Sequence, residues 1–409
     1  MIPRVSVAFV IFLACVAAFW AWLWWSPAHR QTFELLLSAN DAVSGQQPLP
    51  PVTAVVPARN EATVLPKTIP TLCRQDYPDL RVIVVDDHSE DGSAEVLRRL
   101  AAVHPHLTVI HASPRPEGWC GKPWAVSNGV AAAGEGAGWL LFTDADCEFH
   151  PLAVRRAVGL ALENDVDLLS LVPQMTFGST IERLGIPGLV TALALLFPVG
   201  WSNDPKREVA LAAGAFLLVR RPAYEKIGGH GAVRSEIIED LNLAKRMKAS
   251  GAKVHTRLTP DLVRTRMYEG LADLWEGLSK NAYAGMQYQA HKFWAGLVAG
   301  LLVAVLPPVY LIASLAWVVA SPESRLTWTA LGLTVLMNLL IVLVHRRAIR
   351  FLRLPAAHAL FMPVSAALYA MIAITSAWQH HFRGGNVWKG RRYSREMLLA
   401  GAQDAAQEG

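Results

Sequence analysis

Long apolar stretches that lack charged residues occur in two parts of the chain, one at the start and a group toward the end. The four stretches without Asp, Glu, Lys or Arg are residues 5–25, 293–320, 326–344 and 354–378. About 20 such residues are needed for a helix to cross a bilayer. The first stretch is too long for a signal peptide and ends in a cluster of tryptophans, which is typical of a membrane interface. The pattern predicts an uncleaved N-terminal transmembrane anchor (1–30) and C-terminal transmembrane helices (291–380).

Between these stretches, short apolar runs alternate with segments of helical periodicity. Strands are predicted at residues 52–56, 80–85, 107–111 and 139–142, and helices at 61–73, from 93 to 104, and after 151. This alternation favours an α/β domain with a mostly parallel, doubly wound sheet. Such sheets bind ligands beyond the carboxyl ends of their strands. A further apolar segment, residues 181–199, contains Pro187 and is predicted to lie on the membrane or to be buried.

The net charge of +5 is modest and does not indicate nucleic-acid binding. Basic residues cluster in the loop 346–353 and in the tail 381–409. The positive-inside tendency places both clusters in the cytoplasm, which one anchor followed by three simple spans cannot satisfy. The stretch 293–320 could be re-entrant, or one of the stretches 326–344 and 354–378 could lie at the membrane interface. We favour a cytoplasmic tail. The four cysteines have no paired spacing, which fits a reducing compartment without a zinc site.

Two acidic pairs follow predicted strands. Asp86 and Asp87 come directly after the second strand, where they could accept hydrogen bonds from a base and a ribose. The alternative is an Asp-rich turn before the next helix, which Asp91 fits better. Asp144 and Asp146 follow the fourth strand, and residues two apart point the same way in an extended chain. Two such carboxylates suit a divalent ion that also takes phosphate oxygens, with a solvated turn as the alternative.

A third acidic pair, Glu239 and Asp240, lies at the predicted start of a helix that ends before Gly251. A favourable interaction with the helix dipole would explain acids at this position. The functional interpretation is a general base that takes a proton from an acceptor hydroxyl. The sequence alone does not choose between the two.

Four segments in this order resemble family 2 glycosyltransferases of the GT-A fold. They are VVPARNE (55–61), VVDDHSEDGS (84–93), TDAD (143–146) and IIED (237–240). The resemblance extends over residues 52–288 and implies a Rossmann-like GT-A domain, placed at 50–290. It also implies an inverting transfer of a sugar from a nucleotide-sugar, with Mg²⁺ or Mn²⁺ as the cofactor.

The resemblance also implies roles for individual residues. Asp86 and Asp87 would contact uracil and ribose, and Asp144 would approach the ribose and diphosphate and, with Asp146, hold the metal. Asp240, preceded by Glu239, would be the catalytic base. The remaining nucleotide-binding residues by resemblance are Pro57, Arg59, Glu61 and Lys122.

The membrane layout resembles the ceramide-glucosyltransferase and hopanoid-associated branch of the family. Residues 267–285 and VWKGRRY (387–393) resemble segments of bacterial lipid glycosyltransferases of this type. The Q/R-x-x-R-W motif of processive synthases and ceramide glucosyltransferases does not occur here, so polymer synthesis and ceramide are not supported. Lys280, Lys389 or Arg391 could instead stabilise the leaving diphosphate.

The sequence therefore predicts an integral membrane protein, bacterial and in the inner membrane, with a cytoplasmic catalytic domain. Its partners would be a nucleotide-sugar, most simply a UDP-sugar, and a membrane lipid that offers a hydroxyl. The nearest alternative is sugar transfer to a polyisoprenyl phosphate. A different class is a non-catalytic scaffold that binds nucleotide-sugar, and a transporter is disfavoured because the apolar stretches carry no charge.

Overall fold

The fold was analysed in a computed structural model, which describes residues 5–41, 48–136, 138–388, 391–397 and 399. The described residues form two compact units. A helical unit combines residues of Met1–Glu34, Phe177–Pro198 and Glu269–Ala377, and a sheet unit combines residues of Leu35–Thr176, Val199–Tyr268 and Trp378–Gly409. The segment 177–198 therefore belongs to the helical unit, although it lies inside the range predicted for the GT-A domain.

Seven strands of the described sheet unit form one mixed sheet in the order β3-β2-β1-β4-β8-β6-β9. They are β1 (Val52–Ala58), β2 (Leu80–Asp86), β3 (Leu107–His111), β4 (Trp139–Phe142), β6 (Leu168–Val172), β8 (Leu217–Arg220) and β9 (Val254–Leu258). β1 pairs in parallel with both β2 and β4, and β2 pairs in parallel with β3. Only β8 runs antiparallel to its neighbours β4 and β6. The mostly parallel α/β sheet predicted from the sequence is confirmed, because strands buried on both faces read as continuous apolar runs.

The other described strands form two smaller sheets. One is formed by β5 (Cys147–Phe149), β7 (Gln174–Met175) and β10 (Val263–Thr265), and the other by the C-terminal hairpin of β11 (Gly385–Trp388) and β12 (Arg391–Ser394). The antiparallel register of β5 and β10 places Thr265 opposite Cys147, next to the second aspartate of TDAD. Lys389 is outside the described residues.

Helices cover both faces of the main sheet. Those of the sheet unit are α3 (Leu65–Cys73), α4 (Ser93–Val103), α5 (Gly121–Ala133), α6 (Ala153–Glu163), α8 (Val199–Ser202), α9 (Arg221–Lys226) and α10 (Glu239–Ala249). One apolar cluster includes residues of β1, α3 and α6, and a second includes Val55, α5 and α10. Gly129 allows α5 to approach the sheet, because a Cβ there would overlap a methyl group of Val55 and lie 3.0 Å from one of Val85.

The helical unit contains α1 (Val7–Trp25), α2 (Pro27–Gln31), α7 (Thr180–Leu196), α11 (Gly270–Ala282), α12 (Ala290–Gly300), α13 (Pro307–Ala320) and α14 (Arg325–Phe351), and α15 (Met362–Phe382) continues from it into the sheet unit. Among the described residues, three helical stretches are long and apolar enough to span a membrane. They are Val7–Trp25, Arg325–Phe351 and Ala356–Phe382. The predicted combination of an α/β domain with transmembrane-type helices is therefore confirmed.

A fourth apolar stretch is broken rather than straight. Ala290–Val305 and Pro307–Ala320 meet at a bend of 51°. Pro307 and Pro308 cause the break because proline removes a backbone donor and clashes with the preceding turn, and a π-helical turn at Leu301–Val305 precedes them. The Trp20 indole donates to the carbonyl of Val303 at 2.9 Å, which satisfies the acceptor that Pro307, lacking an N–H, leaves without its helical partner.

α1 and α14 pack along each other and run in the same direction. At the end of α1, the Arg347 guanidinium donates to the carbonyl of Trp24 at 2.8 Å and lies 4.3 Å from the centre of its ring. At the start of α1, the Phe9 ring meets those of Tyr310 and Trp317 at 5.9 and 5.4 Å. The basic end of α14 therefore lies beside the end of α1, and the end of α13 lies beside its start.

Candidate active site

The loops that follow β1 and β2 are tied together at the edge of the sheet. Arg59 donates to the carbonyl oxygens of Asp87 and His88 at 2.7 and 2.9 Å. The backbone N–H of Glu61 donates to the Ser93 hydroxyl at 2.8 Å. Asn60 and His88 have left-handed φ values of 54° and 57°, which asparagine and histidine tolerate better than most residues in such sharp turns. These contacts fix the loop around the two adjacent aspartates.

Asp86 and Asp87 are both buried, with 3% and 4% of their surface exposed. Asp86 accepts from the Ser89 N–H at 3.2 Å and lies 3.1 Å from Nδ1 of His111. Both carboxylate oxygens of Asp87 accept from the guanidinium of Arg391 in the C-terminal hairpin. The turn interpretation holds for Asp91 instead, whose carboxylate accepts from the N–H and the hydroxyl of Ser93 at 3.0 and 2.6 Å.

Asp144 and Asp146 follow β4 and have different neighbours. Asp144 Oδ1 lies 2.5 Å from Nζ of Lys122, which is the second residue of α5. Asp146 Oδ2 accepts from the Thr265 hydroxyl at 3.0 Å. Both carboxylates remain partly exposed. The strand and the small β5–β10 pairing therefore hold the two partly exposed acids at one edge of the sheet.

Lys122 joins two of the predicted acidic motifs. Its ammonium lies 2.5 Å from Asp144 and 2.6 Å from Oε1 of Glu239, which is nearly buried. Burial would lower the pKa of Lys122, but the charges of Asp144, Glu239 and Asp240 outweigh it and hold that pKa well above its ordinary value. Lys122 is therefore a permanent positive charge at the centre of the acidic cluster.

Asp240 lies in the first turn of α10. Its Oδ2 accepts from the N–H of Gly214 at 2.7 Å, and its Oδ1 accepts from the N–H of Leu241 at 2.8 Å. Burial, followed by the negative charge of Glu239, raises the pKa of Asp240 to about 6, although the positive charge of Lys122 opposes the rise. A carboxylate with a pKa just below neutrality is ionised at pH 7 and still accepts a proton readily, as a general base must.

A small pocket lies beside Lys122 and Glu239. It is lined by residues of β1, β4, α5 and α10, including Pro57, Lys122, Thr143, Gly214, His230 and Glu239. The His230 ring is buried, and burial and then the charge of Lys122 lower its pKa to about 3, so that it is neutral at pH 7. Its Nδ1 is 2.8 Å from the Tyr224 hydroxyl, which itself accepts from the His230 N–H at 2.9 Å. The imidazole is thereby fixed in place against the ring of Phe142.

The donor set of the TDAD segment fits a hard divalent cation only in part. Asp144 and Asp146 offer carboxylate oxygens, but no group of three or more His, Cys, Asp or Glu side chains converges among the described residues. A Mg²⁺ or Mn²⁺ ion held here would complete its coordination with water and with the phosphates of a bound nucleotide, as Mg²⁺ sites commonly do. The residues present therefore suit an ion that binds together with the nucleotide.

Several site residues were not identified from the sequence. Gly214 is central, because a Cβ on it would lie 2.7 Å from Nζ of Lys122, 3.1 Å from Asp144 and 3.4 Å from Asp240. Its signal is the small-residue run AAGA (212–215), which Phe216 separates from the apolar strand LLVR (217–220). Thr265 and His230 carry no comparable signal, since a single threonine or histidine is common in ordinary cores.

Comparison with known proteins finds similar sequences and solved structures. Residues 53–228 match the family model described as glycosyl transferase family 2. A 4,4'-diaponeurosporenoate glycosyltransferase of Staphylococcus haemolyticus is 26% identical over 365 residues, covering 84% of this chain and 88% of that protein. A beta-monoglucosyldiacylglycerol synthase of Synechocystis is 28% identical over 258 residues, covering 59% of this chain and 49% of that protein. A mannosyltransferase of Pyrobaculum calidifontis, solved with GDP-Man and Mn²⁺, superposes with a TM-score of 0.49 at 17% identity, covering 91% and 99% of the two chains.

The chain is a glycosyltransferase with a family 2 domain. This confirms the family suggested by the four acidic and nucleotide-binding segments. The matched range includes Pro57, Asp86, Asp87, Lys122, Asp144 and Asp146.

Proposed function

We propose that the protein transfers a sugar from a UDP-sugar to a hydroxyl group of a membrane lipid, with inversion at the anomeric carbon. The observation that carries the proposal is the Asp240 carboxylate, which is fixed by Gly214 and has a pKa raised to about 6. A hydroxyl acceptor must lose its proton as it attacks, whereas a phosphate acceptor is already ionised. A positioned base of this pKa is therefore expected in an enzyme that uses a hydroxyl.

The other site residues take roles that follow from their places. Asp86 and Asp87 bind the nucleoside with Pro57, Arg59 and Glu61, at the ends of β1 and β2. Asp144 and Asp146 would hold a divalent cation, which would supply positive charge to the leaving diphosphate. Lys122 adds a second positive charge beside Asp144, and Glu239 keeps that ammonium in position. Asp240 takes the proton of the acceptor hydroxyl while the bond between sugar and diphosphate breaks.

A lipid acceptor is supported by the membrane-type helices and by the relatives. Three described helices have the length and apolarity of spans, and α7 places a further apolar helix in the same unit. One relative is named for a glucosylated diacylglycerol. We place the protein in a bacterial inner membrane with the sheet unit on the cytoplasmic side, where nucleotide-sugars are made.

The test is transfer of label into lipid. Membranes that contain the protein are incubated with Mn²⁺ and a panel of radiolabelled UDP- and GDP-sugars, and label is counted in the organic extract. Wild type is compared with Asp240→Asn, with Asp146→Ala, and with the matched control Asp79→Asn, an exposed aspartate before β2. We expect label from one UDP-sugar, a loss of about 10²–10⁴-fold in Asp240→Asn, and full activity in the control.

Other outcomes separate the alternatives. Activity that survives Asp240→Asn but is lost in Asp146→Ala would replace the lipid hydroxyl with a phosphate acceptor such as a polyisoprenyl phosphate. Binding of nucleotide-sugar without label in any extract would exclude the lipid acceptor. Activity that survives both EDTA and Asp146→Ala would exclude the metal.

A further inference from the structure

The C-terminal hairpin of the sheet unit contacts the predicted nucleoside-binding end of the site. Arg391, the first residue of β12, donates through Nη1 to Oδ2 of Asp87 and through Nη2 to Oδ1 at 2.9 Å. Nη2 also lies 3.3 Å from the carbonyl oxygen of Asp87. The two residues are 304 positions apart in the chain, so the contact is a specific product of the fold.

Both partners are shielded from water. The Asp87 side chain is 6% exposed and the Arg391 side chain 17%. A buried carboxylate without a cation is costly, and an arginine fork holds both of its oxygens in one plane. Arg391 therefore determines how the Asp87 carboxylate is oriented.

The neighbouring helix leaves room for this contact. A Cβ on Gly121, the first residue of α5, would overlap Nη1 of Arg391 and lie 3.1 Å from Oδ2 of Asp87. Tyr393 is two residues beyond Arg391 on the same face of the hairpin, is 9% exposed, and receives a hydrogen bond from the backbone of Gly121. The hairpin is thus seated on the start of α5, the helix whose next residue is Lys122.

We propose that the C-terminal hairpin is part of the nucleotide site and that Arg391 is a positioning residue for Asp87. The inference rests on the proposed function, since it takes Asp87 to bind the nucleoside. The fork uses one lone pair of each carboxylate oxygen, and Oδ1 also lies 3.4 Å from Nδ1 of His88. The second lone pair of Oδ2 can accept from the base N–H or a ribose hydroxyl of a nucleoside diphosphate. A hairpin that merely blocked the site would instead have to leave when nucleotide binds.

The test is binding of UDP, or of GDP if the donor screen selects it, to the purified full-length protein in detergent with Mn²⁺, measured by calorimetry. We expect Arg391→Ala to weaken binding by about 10–100-fold, the range for a lost charge-assisted contact, and Arg391→Lys to retain part of the affinity. With the labelled donor, the KM should rise and kcat should change little. Arg395→Ala, at an exposed arginine directly after β12, is the matched control and should bind like wild type.

A double-mutant comparison shows whether Arg391 acts through Asp87. If it does, Arg391→Ala should cost much less in an Asp87→Asn background than in wild type. The inference would be overturned by equal losses in the two backgrounds, or by unchanged or tighter binding in Arg391→Ala. Tighter binding would show that the hairpin inhibits nucleotide binding. None of these outcomes would change the amount of label that the wild type transfers to lipid, so the proposed function would stand. A wild type that binds neither UDP nor GDP would overturn both the proposed function and this inference.

Discussion

Lys122 is the residue on which the electrostatics of the site depend. Its ammonium contacts Asp144 and Glu239 directly and also lowers the pKa of Asp240, against burial and the charge of Glu239. Removing it would therefore change two properties at once, the charge available to the diphosphate and the protonation of the base. The change in the pKa of Asp240 has a direction that can be measured.

We expect the pH profile of kcat/KM to show an acid limb near pH 6 in wild type, because Asp240 acts as a base only when ionised. Activity should be full above this pH and fall below it. In Lys122→Gln the positive charge that favours the ionised form is lost, so the pKa of Asp240 rises and the limb moves to higher pH. Lys67→Gln, at an exposed position on α3, should leave the limb in place. A limb that stays near pH 6 in Lys122→Gln would contradict the coupling.

Thr265 affects the metal through Asp146. Its hydroxyl donates to Oδ2 of Asp146 at 3.0 Å and so fixes the direction of the other oxygen. We predict that Thr265→Val raises the Mn²⁺ concentration needed for half-maximal activity by about tenfold or more, as is typical when a group that orients a metal ligand is lost. Thr108→Val, at an exposed position on the edge strand β3, is the control. An unchanged Mn²⁺ requirement, checked by direct titration of bound Mn²⁺, would show that Asp146 needs no such support.

At the scale of elements, α5 connects the core to the site. Gly129 packs against Val55 and Val85 in the middle of the sheet, while the start of the same helix carries Lys122. Gly129→Ala would add helix propensity but force a methyl group into the closest contact of the helix with β1. We expect a net loss of about 1–3 kcal/mol of stability, seen as a lower unfolding temperature in detergent. Gly138→Ala, where a Cβ meets nothing within 4 Å, should unfold like wild type, and equal temperatures for all three proteins would refute this packing.

The elements that could be predicted from the sequence are those with a clear pattern of apolar residues. Strands β3 and β4 have the predicted bounds, and β1 and β2 extend one or two residues further toward the site, because their apolar runs end in the acidic loops. α5 was not predicted, since its sequence GKPWAVSNGVAAA has no clear polar face. β5 and β10 were also not identified, because strands of three residues carry too little pattern. The acids themselves could be listed from the sequence, but their partners Gly214, Thr265 and Arg391 depend on long-range contacts that local patterns do not encode.

For the whole molecule, the arrangement of the helical unit bears on the topology conflict between the two basic clusters. The Arg347 end of α14 lies beside the Trp24 end of α1, shortly before the chain enters the sheet unit at Leu35. The rings of Phe33 and Phe351, 6.3 Å apart, extend the same contact. The tail belongs to the sheet unit, where Arg391 binds Asp87. The basic end of α14 and the end of α1 therefore lie together within the helical unit.

This packing also sets the directions of the C-terminal helices within the helical unit. We predict that the bent pair α12–α13 and the helix α14 cross the membrane in opposite directions, since α13 ends beside Phe9 and α14 ends beside Trp24. The α15 residues Ser365 and Leu368 contact α7 in the same unit.

The prediction is tested with single added cysteines and a maleimide that does not cross membranes. Glu323→Cys, between α13 and α14, should react from one side of the membrane. Ala357→Cys, after α14, should react from the other side, together with the reference Gln31→Cys at the end of α2; all three positions are exposed. Wild type corrects for the four native cysteines. If Ala357→Cys reacted from the same side as Glu323→Cys, α14 would not cross the membrane, and the prediction would be wrong.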